Sequence, residues 1–221
     1  MPAAVKTSTH RQRQAAATRA RIAEAARRLF ADTGYGATSI EAIAAEAGVG
    51  VRTVYSIFGA KREILSLICE RWLEQAQARE GAAAVLAEPD PRRRLHAAAA
   101  WLVALYATDF DVVMIFEAAT DESSETRALL RSKLAGRNQV MDAMIASLDG
   151  HLRLPTAEAQ AVFRALAAPG VYRELVHESS WTAERLTAWL TDLLTRSVLA
   201  ANGSVQEGAQ ESWSRAEENT S

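Results

Sequence analysis

Cysteine is almost absent: Cys69 is the single one in 221 residues. It can form no internal disulfide, so no disulfide framework carries the fold, and a reducing, cytoplasmic setting is expected. Proline is scarce too, with Pro2, Pro89, Pro91, Pro155 and Pro169 making up the five. Helices between them meet no imino-acid breaker over long stretches. Aromatic residues amount to 6% and β-branched residues are sparse, which leaves little to build a sheet from, whereas alanine supplies about a fifth of the chain. Such a composition favours an all-α fold. The longest apolar run, Leu95 to Ala107, is interrupted by His96 and falls short of the ~20 residues a membrane span needs. No membrane partner is expected. Near the N-terminus, Arg19, Arg21 and Glu24 break up the apolar core that a secretory signal requires.

Catalytic signatures are also missing. The chain has no nucleophile elbow, phosphate loop, dinucleotide fingerprint or paired metal motif. His10, His96, His151 and His177 are scattered without ligand spacing. The expectation is therefore no enzyme, no catalytic residue, no metal and no cofactor. What is present is an apolar share of 49%, enough for a packed core. Charge is distributed unevenly: residues 1–62 carry ten Lys and Arg against four Asp and Glu, while residues 63–221 carry fifteen against twenty-three. A basic first quarter on an otherwise acidic chain suggests an N-terminal nucleic-acid module; a solvated basic tail is the plainer alternative.

Helical periodicity organises the rest. Residues 15–33 read as a first helix closed by Gly34, a residue suited to a left-handed cap. Thr38-Ser39-Ile40-Glu41 has the spacing of a capping box, with the Thr38 hydroxyl expected to take an orphan amide. A second helix over 39–46, a turn at Ala47-Gly48-Val49 and a short third helix over 50–56 follow. Residues 60–79 then read as one long amphipathic helix of about 30 Å. Further helices are expected over 91–107, 109–119, 123–148, 155–178 and 182–201, about nine in all, with Pro169-Gly170 kinking or splitting the eighth and Thr182 capping the ninth. The expected divisions are a disordered basic arm over 1–14, a small helical module over 15–62, a larger helical domain over 63–202, and a disordered tail over 203–221.

Two short helices, a glycine-permitted turn, apolar positions that set the crossing angle and a polar outward face on the second helix are what a helix-turn-helix requires. Arg52, Thr53, Tyr55 and Ser56 make up that face, and these residue types reach base edges or phosphates. Lys61 adds a cation at the start of the fourth helix. The run Thr38-Ser39-Ile40-Glu41-Ala42-Ile43-Ala44, with Ala47-Gly48-Val49-Gly50-Val51-Arg52-Thr53-Val54-Tyr55, Phe58, Lys61 and Ile64-Leu65, resembles the signature of the TetR family of transcriptional regulators. The resemblance covers about residues 16–65. It implies an N-terminal three-helix helix-turn-helix DNA-binding domain over 15–62 and a C-terminal helical ligand-binding and dimerisation domain over 63–202, a homodimer on a palindromic operator in double-stranded DNA, and release by a small effector, with repression as the family default. Carried onto this chain, it implies phosphate contacts from Thr38, Tyr55 and Lys61 and base contacts from Arg52, Thr53 and Ser56, with Ser39 and Gly50 beside them at the two helix starts. Gly50 departs from the serine or threonine the family often has there, which removes a side-chain cap.

A dimer is also expected on physical grounds, because a helix of about seven residues is ~10 Å long and reads only a few base pairs. The apolar faces of the last two helices, with Leu166, Tyr172, Leu175, Leu186, Trp189, Leu190 and Leu193, would form an intersubunit four-helix bundle; membership of one subunit's own core is the alternative. In the middle helices Trp72, Trp101, Tyr106, Phe110, Met114, Phe116, Met141, Met144 and Phe163 could wall a cavity for an apolar or aromatic effector, although Met and aromatic residues at helical spacing are also ordinary core. The long fourth helix, with Lys61 at one end and Trp72 near the other, would then act as a lever between effector and DNA. A DNA-binding regulator controlled by a protein partner shares every N-terminal feature, and a helical enzyme is the remote alternative.

Overall fold

The computed structural model describes residues 4–121 and 123–201. They form eleven α-helices: α1 (Ala4–Thr33), α2 (Ile40–Glu46), α3 (Val51–Phe58), α4 (Lys61–Gln75), α5 (Ala78–Ala87), α6 (Pro91–Thr108), α7 (Phe110–Ala118), α8 (Ser124–Ala146), α9 (Thr156–Leu166), α10 (Pro169–Tyr172) and α11 (Ala183–Val198). A 3₁₀ turn follows α7 and a π-helical turn, Arg173–Glu178, continues α10. The all-α class holds: among the described residues the sole β pairing is a bridge between Leu152 and Leu199. No single described helix is long and apolar enough to cross a membrane. The tail expected over 203–221 lies outside the described residues.

The chain divides into two compact units, Met1–Gln77 with Thr108–Ala135, and Ala78–Ala107 with Gly136–Ser221. In the first, α1 begins at Ala4, ahead of the start expected near Ala15. It buries Ile22, Ala23, Ala25, Ala26 and Phe30, a stripe at helical spacing. The helix ends at Thr33, and Gly34 takes the left-handed backbone (φ 87°) that ends a helix at low steric cost. An ion-pair cluster ties α1 to the start of α7: Arg27 Nε and Nη2 donate to the two Asp111 carboxylate oxygens at 2.7 and 2.8 Å, and Nη2 also donates to Asp109 at 2.6 Å. These carboxylates, Asp111 foremost, hold the Arg27 guanidinium above its usual pKa.

The second unit packs Leu95, Leu102 and Tyr106 of α6, Met141, Met144 and Ile145 of α8, Phe163 of α9, and the Leu186-Leu190-Leu194-Val198 stripe of α11 out of solvent. Two expectations change. The long fourth helix ends at Gln75, so it spans about 22 Å rather than 30. No residue from 76 to 80 breaks a helix on propensity; the break comes at Gln77, whose φ is 48°, and α5 restarts at Ala78. Inside the second unit that restart is seated by Trp101, whose indole N–H donates to the Ala78 carbonyl at 2.9 Å, and by Gly81, where an added Cβ would lie 2.7 Å from the Trp101 ring. Tertiary packing overrides helix propensity here. The eighth expected helix is split, because Pro169 opens α10 as its N1 residue after α9 has ended at Leu166.

Candidate nucleic-acid interface

In α2 the cap is one residue later than the sequence spacing implies. Ser39 is the N-cap and its hydroxyl accepts from the Ala42 amide at 3.1 Å. Thr38 is instead 3% exposed and its hydroxyl donates toward the Gly34 carbonyl at 2.8 Å, so it fastens the end of α1 to the start of α2. The expected Thr38 capping box is corrected to a Ser39 cap, since an inward hydroxyl with a nearby carbonyl has no amide left to reach for. Ile40, Ile43 and Ala44 face inward from α2.

The turn follows from Gly48, whose φ of 63° is strained for a residue bearing a Cβ. The Val49 amide donates to Ala44 at 3.0 Å and closes the turn. Helix α3 then starts at Gly50, which supplies no side-chain cap; the Thr53 and Val54 amides bond the Gly50 carbonyl. Val54 and Phe58 are buried at i and i+4, and Arg52, Thr53, Tyr55 and Ser56 are all exposed. Tyr55 is 51% exposed, unusual for a large ring on an eight-residue helix with a buried opposite face. Burial of one α3 face thus turns the four polar side chains outward together.

Lys61 behaves differently. Its ammonium donates to the carbonyls of Tyr35 at 2.5 Å and Thr38 at 2.9 Å, with Gly36 at 3.4 Å, and lies 4.3 Å from the Tyr35 ring centroid. Three donors meet three carbonyls of the α1–α2 connection, so the cation is spent on shaping the loop. Sequence reasoning missed two further supports: Arg28 of α1 pairs with Glu46 of α2 at 2.9 Å, and the Arg19 guanidinium lies 4.8 Å from the Phe58 ring centroid. Arginines of α1 at positions 19 and 28 carried no sequence signal of their own, since the charge of this region reads equally as solvated.

The family described as bacterial regulatory proteins, tetR family, matches residues 22–68, about a fifth of the chain. The N-terminal module belongs to the tetR family. No curated protein sequence matches the chain. Among solved structures, the fold is similar to a TetR/AcrR-family transcriptional regulator from Thermobifida fusca (25% identity, TM-score 0.58, covering 80% of this chain and 95% of that one). It is also similar to NalD of Pseudomonas aeruginosa, the secondary repressor of the MexAB-OprM multidrug efflux pump (19%, TM-score 0.67, covering 85% and 98%). A third is FadR of Bacillus subtilis in complex with stearoyl-CoA (19%, TM-score 0.66, covering 79% and 96%).

Beyond the tetR module, the nine residues expected to wall an effector cavity fall in different units. Trp72, Phe110, Met114 and Phe116 belong to the first; Trp101, Tyr106, Met141, Met144 and Phe163 belong to the second. In the second unit Met141, Met144 and Phe163 are at most 1% exposed. In the first, a small open cleft is lined by Ala23, Glu24, Arg27, Ile68, Arg71, Trp72, Gln75, Asp109 and Val112; of the nine, it includes Trp72 alone. Cys69, next to it on α4, is buried, and burial pushes its thiol up to about 11. The residues expected at a dimer interface also divide. Tyr172, Leu186 and Leu190 are buried within the chain's own second unit, while Leu166, Leu175, Trp189 and Leu193 are half-buried.

Proposed function

We propose that this protein is a transcriptional regulator that holds a palindromic operator as a homodimer and is released by a small apolar effector. One observation carries the reading: the exposed quartet Arg52, Thr53, Tyr55 and Ser56 on a helix whose opposite face, Val54 and Phe58, is anchored. In this assignment Arg52 and Thr53 read base edges in the major groove, while Tyr55, Ser56 and the Ser39 end of α2 contact phosphates. Gly50 lets the backbone approach the duplex. Thr38 and Lys61 keep the α1–α2 loop in shape and hence the height at which α2 sits.

Two modules are needed, because one eight-residue helix cannot discriminate among genomic sites. The half-buried Leu166, Leu175, Trp189 and Leu193 are assigned to the symmetric contact, and Leu186 and Leu190 to the subunit's own core beneath it. Half-sites must then match a separation set by the ~34 Å turn of the duplex. An effector that binds the form with the wrong separation more tightly draws the protein off DNA. The stearoyl-CoA complex of the Bacillus subtilis protein supports an apolar effector for this chain. Selection of bound duplexes from a random pool tests the reading: a palindrome is expected, and enrichment of no sequence overturns it.

A further inference from the structure

Half-buried arginines in this chain are matched to acceptors. Arg27 has Asp109 and Asp111, Arg164 has Asp142, and Arg94 donates to the carbonyl of Glu88 at 2.7 Å. Arg137 of α8 differs in one donor, its Nε. Its Nη1 donates to the Tyr106 hydroxyl at 3.0 Å, its Nη2 reaches the Asn138 side-chain oxygen at 3.4 Å, and its Nε is shut away from solvent with no partner. Among the described residues no carboxylate pairs with it.

The orphaned nitrogen is informative because of which one it is. In Arg27 the Nε and Nη2 donors side by side grip the two oxygens of Asp111 at 2.7 and 2.8 Å. In Arg137 that same fork holds nothing at Nε and only a long contact at Nη2. The third nitrogen is fixed by Tyr106, whose own proton goes to the Ala167 carbonyl at 2.6 Å, so the phenol oxygen faces the guanidinium as an acceptor. A guanidinium held by one end, with its fork unfilled, has the geometry for a bidentate carboxylate. Apolar side chains lie near it on the same helix: Met141, one turn along α8, is fully buried, and Val140 is 36% exposed.

We propose that Arg137, positioned by Tyr106, is the head-group seat for the carboxylate of an apolar acid that acts as effector. This rests on the reading of the chain as an effector-controlled regulator and adds the ligand's charge and its anchor. Because Nε is occluded, the carboxylate displaces the packing over it on entry, and binding thereby changes the second unit. Tyr106 also meets Tyr172 edge-on at 5.5 Å, and Tyr172 meets His177 at 5.7 Å. The seat therefore adjoins the π-helical turn 173–178, a kind of irregularity frequent at functional sites.

The test titrates full-length protein, without DNA, with octanoate, decanoate and 3-phenylpropanoate and with the corresponding alcohols, by calorimetry. At least one acid is expected to bind ten times or more tighter than its alcohol. Arg137→Gln, and Arg137→Lys, which keeps the charge but loses the fork, are each expected to weaken that acid at least tenfold and to leave the alcohol unchanged. Either variant suffices if the other fails to fold. The proposal is overturned if none of the acids binds, if acid and alcohol bind alike, or if both folded variants bind the acid as the parent does. Duplex selection by the parent protein is run separately, so loss of the regulator reading and loss of the Arg137 seat are distinguished.

Discussion

The first and second units use the same residue types under different rules. In the first, position by position, the backbone limits the choice: Gly34 and Gly48 take left-handed angles, Ser39 caps, Lys61 closes a loop, and α3 leaves four polar side chains outside. In the second, Leu95, Met141, Met144 and Phe163 fill space, and another set of similar volume would do so about as well. Specific turns and caps leave a readable trace in sequence, whereas a core records little beyond its periodicity.

The largest effect that sharpens this contrast is expected at Phe163. If it is packed core, Phe163→Ala costs about 3–5 kcal/mol of stability in denaturant unfolding. A loss under about 1 kcal/mol, with altered effector binding, would return it to the wall of a cavity. Next comes Arg27→Ala, which leaves Asp109 and Asp111 without their cation and is expected to cost about 1.5–3 kcal/mol, read as a lower unfolding midpoint. A comparable loss is expected in DNA binding rather than in folding for Arg52→Ala, about 1–3 kcal/mol at its base pair with thermal stability unchanged. If stability falls instead, α3 is a structural element and the contrast between the units weakens.

Cys69 provides a pH readout. Its thiol is raised from 9.0 to about 11 in the folded chain, so the stability it contributes is whole below pH 9 and is lost as pH rises toward 11. The parent protein is expected to lose stability over that window more than Cys69→Ala does, measured by urea unfolding at pH 8 and pH 10. Smallest of all is Gly50→Ser. Backbone angles there are ordinary for an N-cap (φ −72°, ψ 145°), and a Cβ meets Thr53 Oγ1 at 3.8 Å without strain. The added hydroxyl is expected to raise stability by roughly a few tenths of a kcal/mol.

Much of the fold was legible in sequence, for reasons that particular residues make plain. The all-α class, the Thr182 cap of α11, the division at Pro169 and the outward set on α3 all follow from local chemistry. The break after Gln75 did not: no residue there breaks a helix on propensity, and the Trp101 indole that seats the restart lies 23 residues beyond the Ala78 carbonyl it bonds. Lys61 and Thr38 were visible as polar residues at the right spacing, but spacing cannot say whether a side chain turns toward solvent or toward a neighbouring carbonyl. Arg137 drew no notice for the same reason: an arginine inside an amphipathic helix reads as surface until its partners are known.

The most direct measurement compares binding of the selected duplex with that of a scrambled duplex, for the parent protein and for the double variant Arg52→Ala, Tyr55→Ala. The account predicts strong preference by the parent, near loss of that preference in the variant, and matching unfolding midpoints for the two proteins. A variant that still prefers the selected duplex as strongly as the parent would contradict it.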